Sequence, residues 1–186
     1  MFAITDRLLL RPGWIEDAPE LTEAIAHKSV IRNLAQAPWP YRLEDAEGFL
    51  LAEQDPYLPN FQMIDRVERP GRMIGGIGFH EQDGEVELGY WLTPDYWGRG
   101  LTTEAGIAAI DAARIALGHR HFVSGHFVDN PASGNVLCKL GFRPTGRVEP
   151  RFSRGRGHDV DCVLYELDTE DDTADIPVRM EPALAA

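Results

Sequence analysis

The sequence predicts a mixed α/β (α+β) domain, an open, largely antiparallel sheet with helices packed on it. Three observations lead there. The β-rich runs FQMIDRV, RMIGGIGF and EVELGYWL follow one another across RPG and EQDGE, both good turn chemistry. An alanine-rich stretch, Leu101–Leu117, is apolar on most sides and reads as a helix buried against a sheet. Beyond it, strand and helix patterns alternate to the end of the periodic sequence. A length of 186 residues suits one core, and 44% hydrophobic with 26% charged residues excludes wholesale disorder.

The first strand is residues 8–10, flanked by Arg7 and Arg11 and stopped by Pro12 and Gly13. Ile15, Leu21, Ile25 and Ala26 then recur at roughly helical spacing. Between 31 and 41 the pattern dissolves into a loop with Pro38, Trp39 and Pro40, and LEDAEGFLLAEQ resumes a helix until Pro56 and Pro59 break it. After the meander, Gly118 ends the long helix, HFVSGHFV is a strand, ASGNVLCKL a helix stopped by Gly141, and DVDCVLYEL a final alternating strand. One domain is therefore expected over 1–167. The tail 168–186, with six acids against one base, has no periodicity and is expected to hang free.

Eighteen basic against thirty acidic residues leave a net charge of −12, the wrong sign for neutralising nucleic-acid phosphates. Two cysteines, Cys138 and Cys162, make neither a disulfide framework nor a zinc-binding spacing, so a reducing cytoplasm and no metal are expected. No stretch approaches the roughly 18 apolar residues of a membrane span.

Chemistry concentrates in EVELGYWLTPDYWGRGLTTEAGIAAI, a strand running into a glycine loop that opens a helix. Gly98 and Gly100 let the backbone bend and lie bare, while the helix start near Leu101 offers unpaired N–H groups and the positive end of its dipole. A phosphate group would suit that position, and a simple tight turn would use the same glycines. Neither a Walker loop nor a dinucleotide fingerprint fits, since the lysine of one and the third glycine of the other are missing.

The loop resembles the acetyl-CoA pyrophosphate loop of the GNAT superfamily of N-acetyltransferases, which reads Arg or Gln, two residues, Gly, any residue, then Gly or Ala. Gly100 takes the central glycine position, Trp97 replaces Arg or Gln, and Thr102 replaces Gly or Ala. A second stretch, NPASGNVLCKLGF from Asn130, resembles the family's later motif in order and spacing. The opening TDRLLLRP with GYWLTPDYWGRGLTTEA resembles more narrowly the branch of the ribosomal-protein N-terminal acetyltransferases. This resemblance implies a mostly antiparallel sheet with two splayed parallel strands holding the cofactor.

It also implies roles. The backbone of Gly98, Arg99, Gly100, Leu101, Thr102 and Thr103 would cradle the pyrophosphate, with the threonine hydroxyls as further donors, charge from Arg99, and Trp97 in the loop. Tyr90 and Leu92 would meet the pantetheine arm, which acts as an added strand, and Asn130 and Asn135 would face it from the other side. Glu87 is the candidate base for the acceptor amine, with a solvated strand glutamate as the alternative reading and His80 and His126 as alternative bases. A tyrosine acid is common at the position of Leu137; Ser133 would substitute, or would simply cap its helix. Cys138 reads as half-buried packing and Cys162 as core. Trp39, Tyr41 and the region 151–158 would shape the acceptor pocket.

The activity so implied is transfer of an acetyl group from acetyl-CoA to a primary amine, on a small molecule or a protein N-terminus, by direct attack. The sequence leaves the assembly state open, and a homodimer is expected only because such assemblies are common. A GNAT-fold acyl-CoA sensor or scaffold without turnover is the alternative, and a nucleotide-binding regulator would instead show competition by ATP.

Overall fold

The structure, a computed structural model, describes residues 1–169. The expectation of a free acidic tail therefore lies outside the described residues from 170 onward, and Asp168 belongs to the last strand. Two short strands, β1 (Ala3–Ile4) and β2 (Leu8–Arg11), lead into three helices, α1 (Ala18–Ile25), α2 (Lys28–Ile31) and α3 (Leu43–Leu51). The meander β3 (Asn60–Asp65), β4 (Met73–Gln82) and β5 (Glu85–Leu92) follows. Next come α4 (Leu101–Leu117), β6 (His121–Phe127), α5 (Pro131–Lys139) and the hairpin β7 (Arg143–Ser153) and β8 (His158–Asp168).

All eight strands form one sheet in the order β1-β2-β3-β4-β5-β6-β8-β7. Every pairing is antiparallel except β5 with β6. One face carries Leu8, Leu10, Phe61, Met63, Phe79 and Leu88 against α4. The opposite face packs Ile64 and Met73 against Ala18, Leu21 and Ala46 of α1 and α3. Helix α4 buries Leu101, Ala105, Ala109 and Ala113, one stripe at four-residue spacing whose small side chains let the helix lie close to the sheet. Its other sides are not buried as expected: Ile107 and Ile115 are exposed.

Strand β7 is the element that the sequence pattern does not show. It runs through Pro144, Gly146 and Pro150, is mostly exposed, and has a register shift between Pro144 and Val148. At the edge of a sheet an N–H on the outer side needs no partner, so proline is tolerated there and alternation is weak.

The seam between β5 and β6 positions everything that follows. Glu87 and Val123 are the bridged pair, and Ser124 Oγ donates to the Leu88 carbonyl at 2.8 Å. Beyond that point β5 continues to Leu92 with no strand on that side among the described residues. The expected splayed parallel pair is present.

At the far end of β6, Asp129 ties the β7–β8 turn to the chain after α2. It accepts from Arg156 at 2.8 and 2.9 Å and from Arg32 at 2.5 Å. The Arg156 hydrogen bonds, with Arg32 behind them, lower its carboxyl to about 2 from 3.8. A depressed carboxylate contributes stability above its unfolded value and loses it as pH falls through the folded one. Asp129 is 37% exposed, so solvent screening discounts the contribution to about 1 kcal/mol. Asp129→Asn should therefore lower the thermal midpoint at pH 7, and the gap from the parent should close as pH falls from about 4 toward 2. Thermal melts across that range read the difference.

Candidate active site

A single cavity of about 1270 Å³ runs from the start of α4, through the β5–β6 parting, to the face of the sheet under α1 and α3. At its first end Gly98 and Gly100 have φ of +74° and +76°, left-handed values that side chains with a Cβ adopt only under strain. Among the described residues, chain neighbours aside, a Cβ on Gly98 would meet nothing within 4 Å. The first hydrogen bond of the helix is donated by Glu104 N–H to the Gly100 carbonyl, so the N–H groups of Leu101, Thr102 and Thr103 have no partner among the described residues. Bare amides, an open cradle and a helix dipole fit a diphosphate.

A clamp that the sequence does not advertise holds this loop. Glu104, in the first turn of α4, accepts from Thr5 Oγ1 at 2.5 Å, Arg7 N at 2.9 Å and Arg7 Nε at 2.7 Å. Arg7 Nη1 also donates to the Arg99 carbonyl at 2.9 Å. Burial raises the Glu104 carboxyl, but the Thr5 and Arg7 donors outweigh it and hold it below the ordinary value. A glutamate at a helix start complements the dipole anywhere, so its spacing carries no sign of a partner some hundred residues away.

The structure brings most of the expected residues to this cavity. Trp97, Gly98, Gly100, Leu101, Thr102 and Thr103 line its first end. Tyr90 and Leu92 line it from β5, and Asn130, Ser133 and Asn135 from the start of α5. Arg99 is the exception. Its guanidinium turns to Glu68 and to the Asp95 carbonyl, each at 2.5 Å, and lies over the Tyr96 ring. Trp97 Nε1 donates to the Leu92 carbonyl at 2.7 Å, so that acceptor is already engaged.

Asn130 sits at the N-cap of α5 without using its side chain as a cap. Ser133 likewise caps nothing. Its Oγ lies 2.7 Å from the Tyr90 hydroxyl, which also reaches the Ser133 carbonyl at 2.9 Å. Burial keeps the Tyr90 phenol protonated, raised well above its ordinary value. Leu137 is fully buried and does not line the cavity, so its position offers no acid there. Cys162 is buried core as expected, whereas Cys138 is exposed.

Glu87 is not a solvated strand glutamate. It is 4% exposed, on the cavity side of β5, with Val86 turned to the opposite face. Arg151 grips it with two nitrogens, Nη1 on Oε1 in a short charged hydrogen bond and Nη2 on Oε2 at 3.1 Å. His80 Nε2 lies 3.8 Å from Oε2. His126 also lines the cavity, with Nδ1 on the Phe127 carbonyl at 2.9 Å. Further along, Tyr41, Phe49 and Trp91 provide aromatic walls, and Glu44, Asp45 and Asp83 provide acids. Burial, with Asp45 nearby, pushes the Tyr41 phenol up to about 12. Trp39 stays outside, while Arg151 and Arg154 bring the 151–158 region into the wall.

Comparison with known proteins agrees with this geometry. The family model described as "Acetyltransferase (GNAT) domain" matches residues 7–143. An uncharacterised N-acetyltransferase, YoaA of Bacillus subtilis, is 29% identical over 182 residues, covering 90% of this chain and 97% of its own length. The ribosomal-protein-serine acetyltransferase of Escherichia coli is 27% identical over 143 residues, covering 71% and 78%. Among solved structures, a GNAT-family acetyltransferase from Bacillus anthracis shares the fold with a TM-score of 0.77 at 24% identity, over 90% of this chain and 98% of that one. A family match that begins at the Arg7 clamp and ends just past α5, over a sheet that parts beside a bare helix start, makes this chain a member of the GNAT superfamily, an acetyl-CoA-dependent N-acetyltransferase.

Proposed function

We propose that the enzyme acetylates a primary amine, carried by a small molecule or a protein N-terminus, through direct attack on the thioester. The observation that carries this reading is the continuity of the cavity, which joins the amide cradle of α4 to an aromatic and acidic wall through the β5–β6 parting. Acids and aromatic faces suit a cationic amine, by charge and by cation–π attraction. Acetyl-CoA supplies the activated acyl group. The amides of 98–103 would hold its diphosphate, the open edge of β5 at Gly89 and Tyr90 would pair with the pantetheine amides, and Asn130 and Asn135 would face the arm from α5. Ser133, aligned by Tyr90, would donate to the departing sulfur. Orientation of the amine against the thioester is the main source of rate.

An acceptor panel of small amines and peptide N-termini, read by free thiol, tests the proposal. Thiol release with one class of amine names the acceptor. Tight acetyl-CoA binding with no release for any of them would favour the sensor alternative. The form expected to work in the cell is a cytoplasmic homodimer, and light scattering of the purified chain checks the assembly. No described helix is long and apolar enough to cross a membrane.

A further inference from the structure

Resting on that reading of the cavity, we propose that His80 is the base that takes the acceptor's proton, with Glu87 and Arg151 as positioning residues behind it. Glu87 looks like the base in the sequence, but both of its oxygens are committed to Arg151 before any substrate arrives. What that pair does instead is present a fixed carboxylate to His80, its cross-strand neighbour on β4. His80 Nε2 faces Oε2 at 3.8 Å, a distance that a bound substrate would tighten, as catalytic hydrogen bonds often do.

The other edge of the ring points where the chemistry is. A Cβ on Gly89 would lie 3.8 Å from His80 Cε1 and 3.9 Å from Nδ1. Gly89 is the second residue past the last β5–β6 bridge, so Nδ1 overhangs the point at which the strands part. With Nε2–H directed to Glu87, the Nδ1 lone pair is left for a substrate proton. Gly89 leaves that edge uncovered. His80 is 52% exposed, lines the cavity, and has no other polar partner among the described residues. This is the base-and-orienter arrangement, with Arg151 fixing the orienter. The other charged groups on this stretch of wall are Asp83 at the β4–β5 turn and Glu149 on β7, while Glu85 is engaged by His121 at 3.4 Å.

In the step so assigned, His80 Nδ1 removes one proton from the acceptor ammonium and the freed nitrogen forms the new C–N bond. As the C–S bond breaks, the Ser133 hydroxyl gives its proton to the sulfur and takes a second proton from the nitrogen in its place, and His80 returns its own proton to water. The products are the amide, the thiol and one released proton.

The test uses the full chain. His80→Gln should lower kcat/KM about 100-fold, the range expected for loss of a general base. Its acetyl-CoA affinity by calorimetry should stay at the parent value, and added imidazole should restore part of the rate. Glu87→Gln should lower kcat with the acceptor KM unchanged, and in the free protein the NMR signals of the His80 ring should change with it, because the group that Nε2 faces is different. The acid limb of the kcat/KM profile should be absent in His80→Gln. If Glu87→Gln does not fold with Arg151 left unpaired, the double change Glu87→Gln, Arg151→Leu removes both buried charges and serves instead. Parent kcat/KM in His80→Gln, or His80 ring signals indifferent to Glu87, overturns the assignment. Failure of the parent enzyme to release thiol with any amine overturns the function reading instead, and the His80 ring signals still decide whether Glu87 positions His80.

Discussion

Gly100→Val should weaken acetyl-CoA binding by about 100-fold or more, equivalent to roughly 2.7 kcal/mol. Gly100 sits at φ +76°, immediately before the three amides that open α4. Valine there faces a left-handed conformation that costs an ordinary residue about 1–2 kcal/mol and a β-branched one more. The chain relieves that strain by rotating the peptide planes on either side, which turns the cradle amides away from a common centre. Among the described residues, chain neighbours aside, a Gly100 Cβ would have only Arg7 Nη2 within 4 Å, at 3.8 Å, so the loss comes from backbone conformation and not from a clash with them. Calorimetry with acetyl-CoA measures the effect, with the thermal midpoint as a control for the fold. Unchanged affinity in Gly100→Val would show that the diphosphate is held elsewhere.

Phe122→Ala should destabilise the protein by about 3–5 kcal/mol, the usual cost of emptying a buried phenylalanine site. Phe122 is 0% exposed on β6, with its ring centroid 5.4 Å from that of Phe79 on β4. It lies one residue before Val123, the bridged residue of the parallel seam, so its loss acts where the sheet passes from closed to parted. Against a total stability of about 5–15 kcal/mol for a domain, such a change leaves a marginal protein. Urea unfolding gives the number. Ile115→Ala is the contrast: that side chain is 74% exposed and its removal should stay within about 0.5 kcal/mol. Saturating acetyl-CoA should recover part of the Phe122→Ala loss, because a ligand that binds only the folded state stabilises by mass action.

Most of the architecture was legible because its elements announce themselves locally. Leu101–Leu117 carries its apolar stripe and its terminal glycine within one stretch of chain, and the β3–β5 meander carries its own turns. The glycine loop was equally legible, since positive φ at Gly98 and Gly100 is a local demand. Strand β7 was not, because edge strands tolerate prolines and have no solvent-to-core alternation to display. The α1–α3 face of the cavity was visible only as aromatic and acidic residues scattered through a loop and a helix.

Residue types within a few positions of one another thus determined the strand-loop-helix unit, the order of the elements and the helix start with its bare amides, because hydrogen bonding, turn geometry and side-chain period act over short stretches of chain. Tertiary structure alone decided which groups face each other: Glu104 with Thr5 and Arg7, Arg99 with Glu68 instead of the cavity, and Glu87 with Arg151 and His80. Charged side chains pair according to distance in the folded sheet, and strand register, not spacing along the chain, sets that distance.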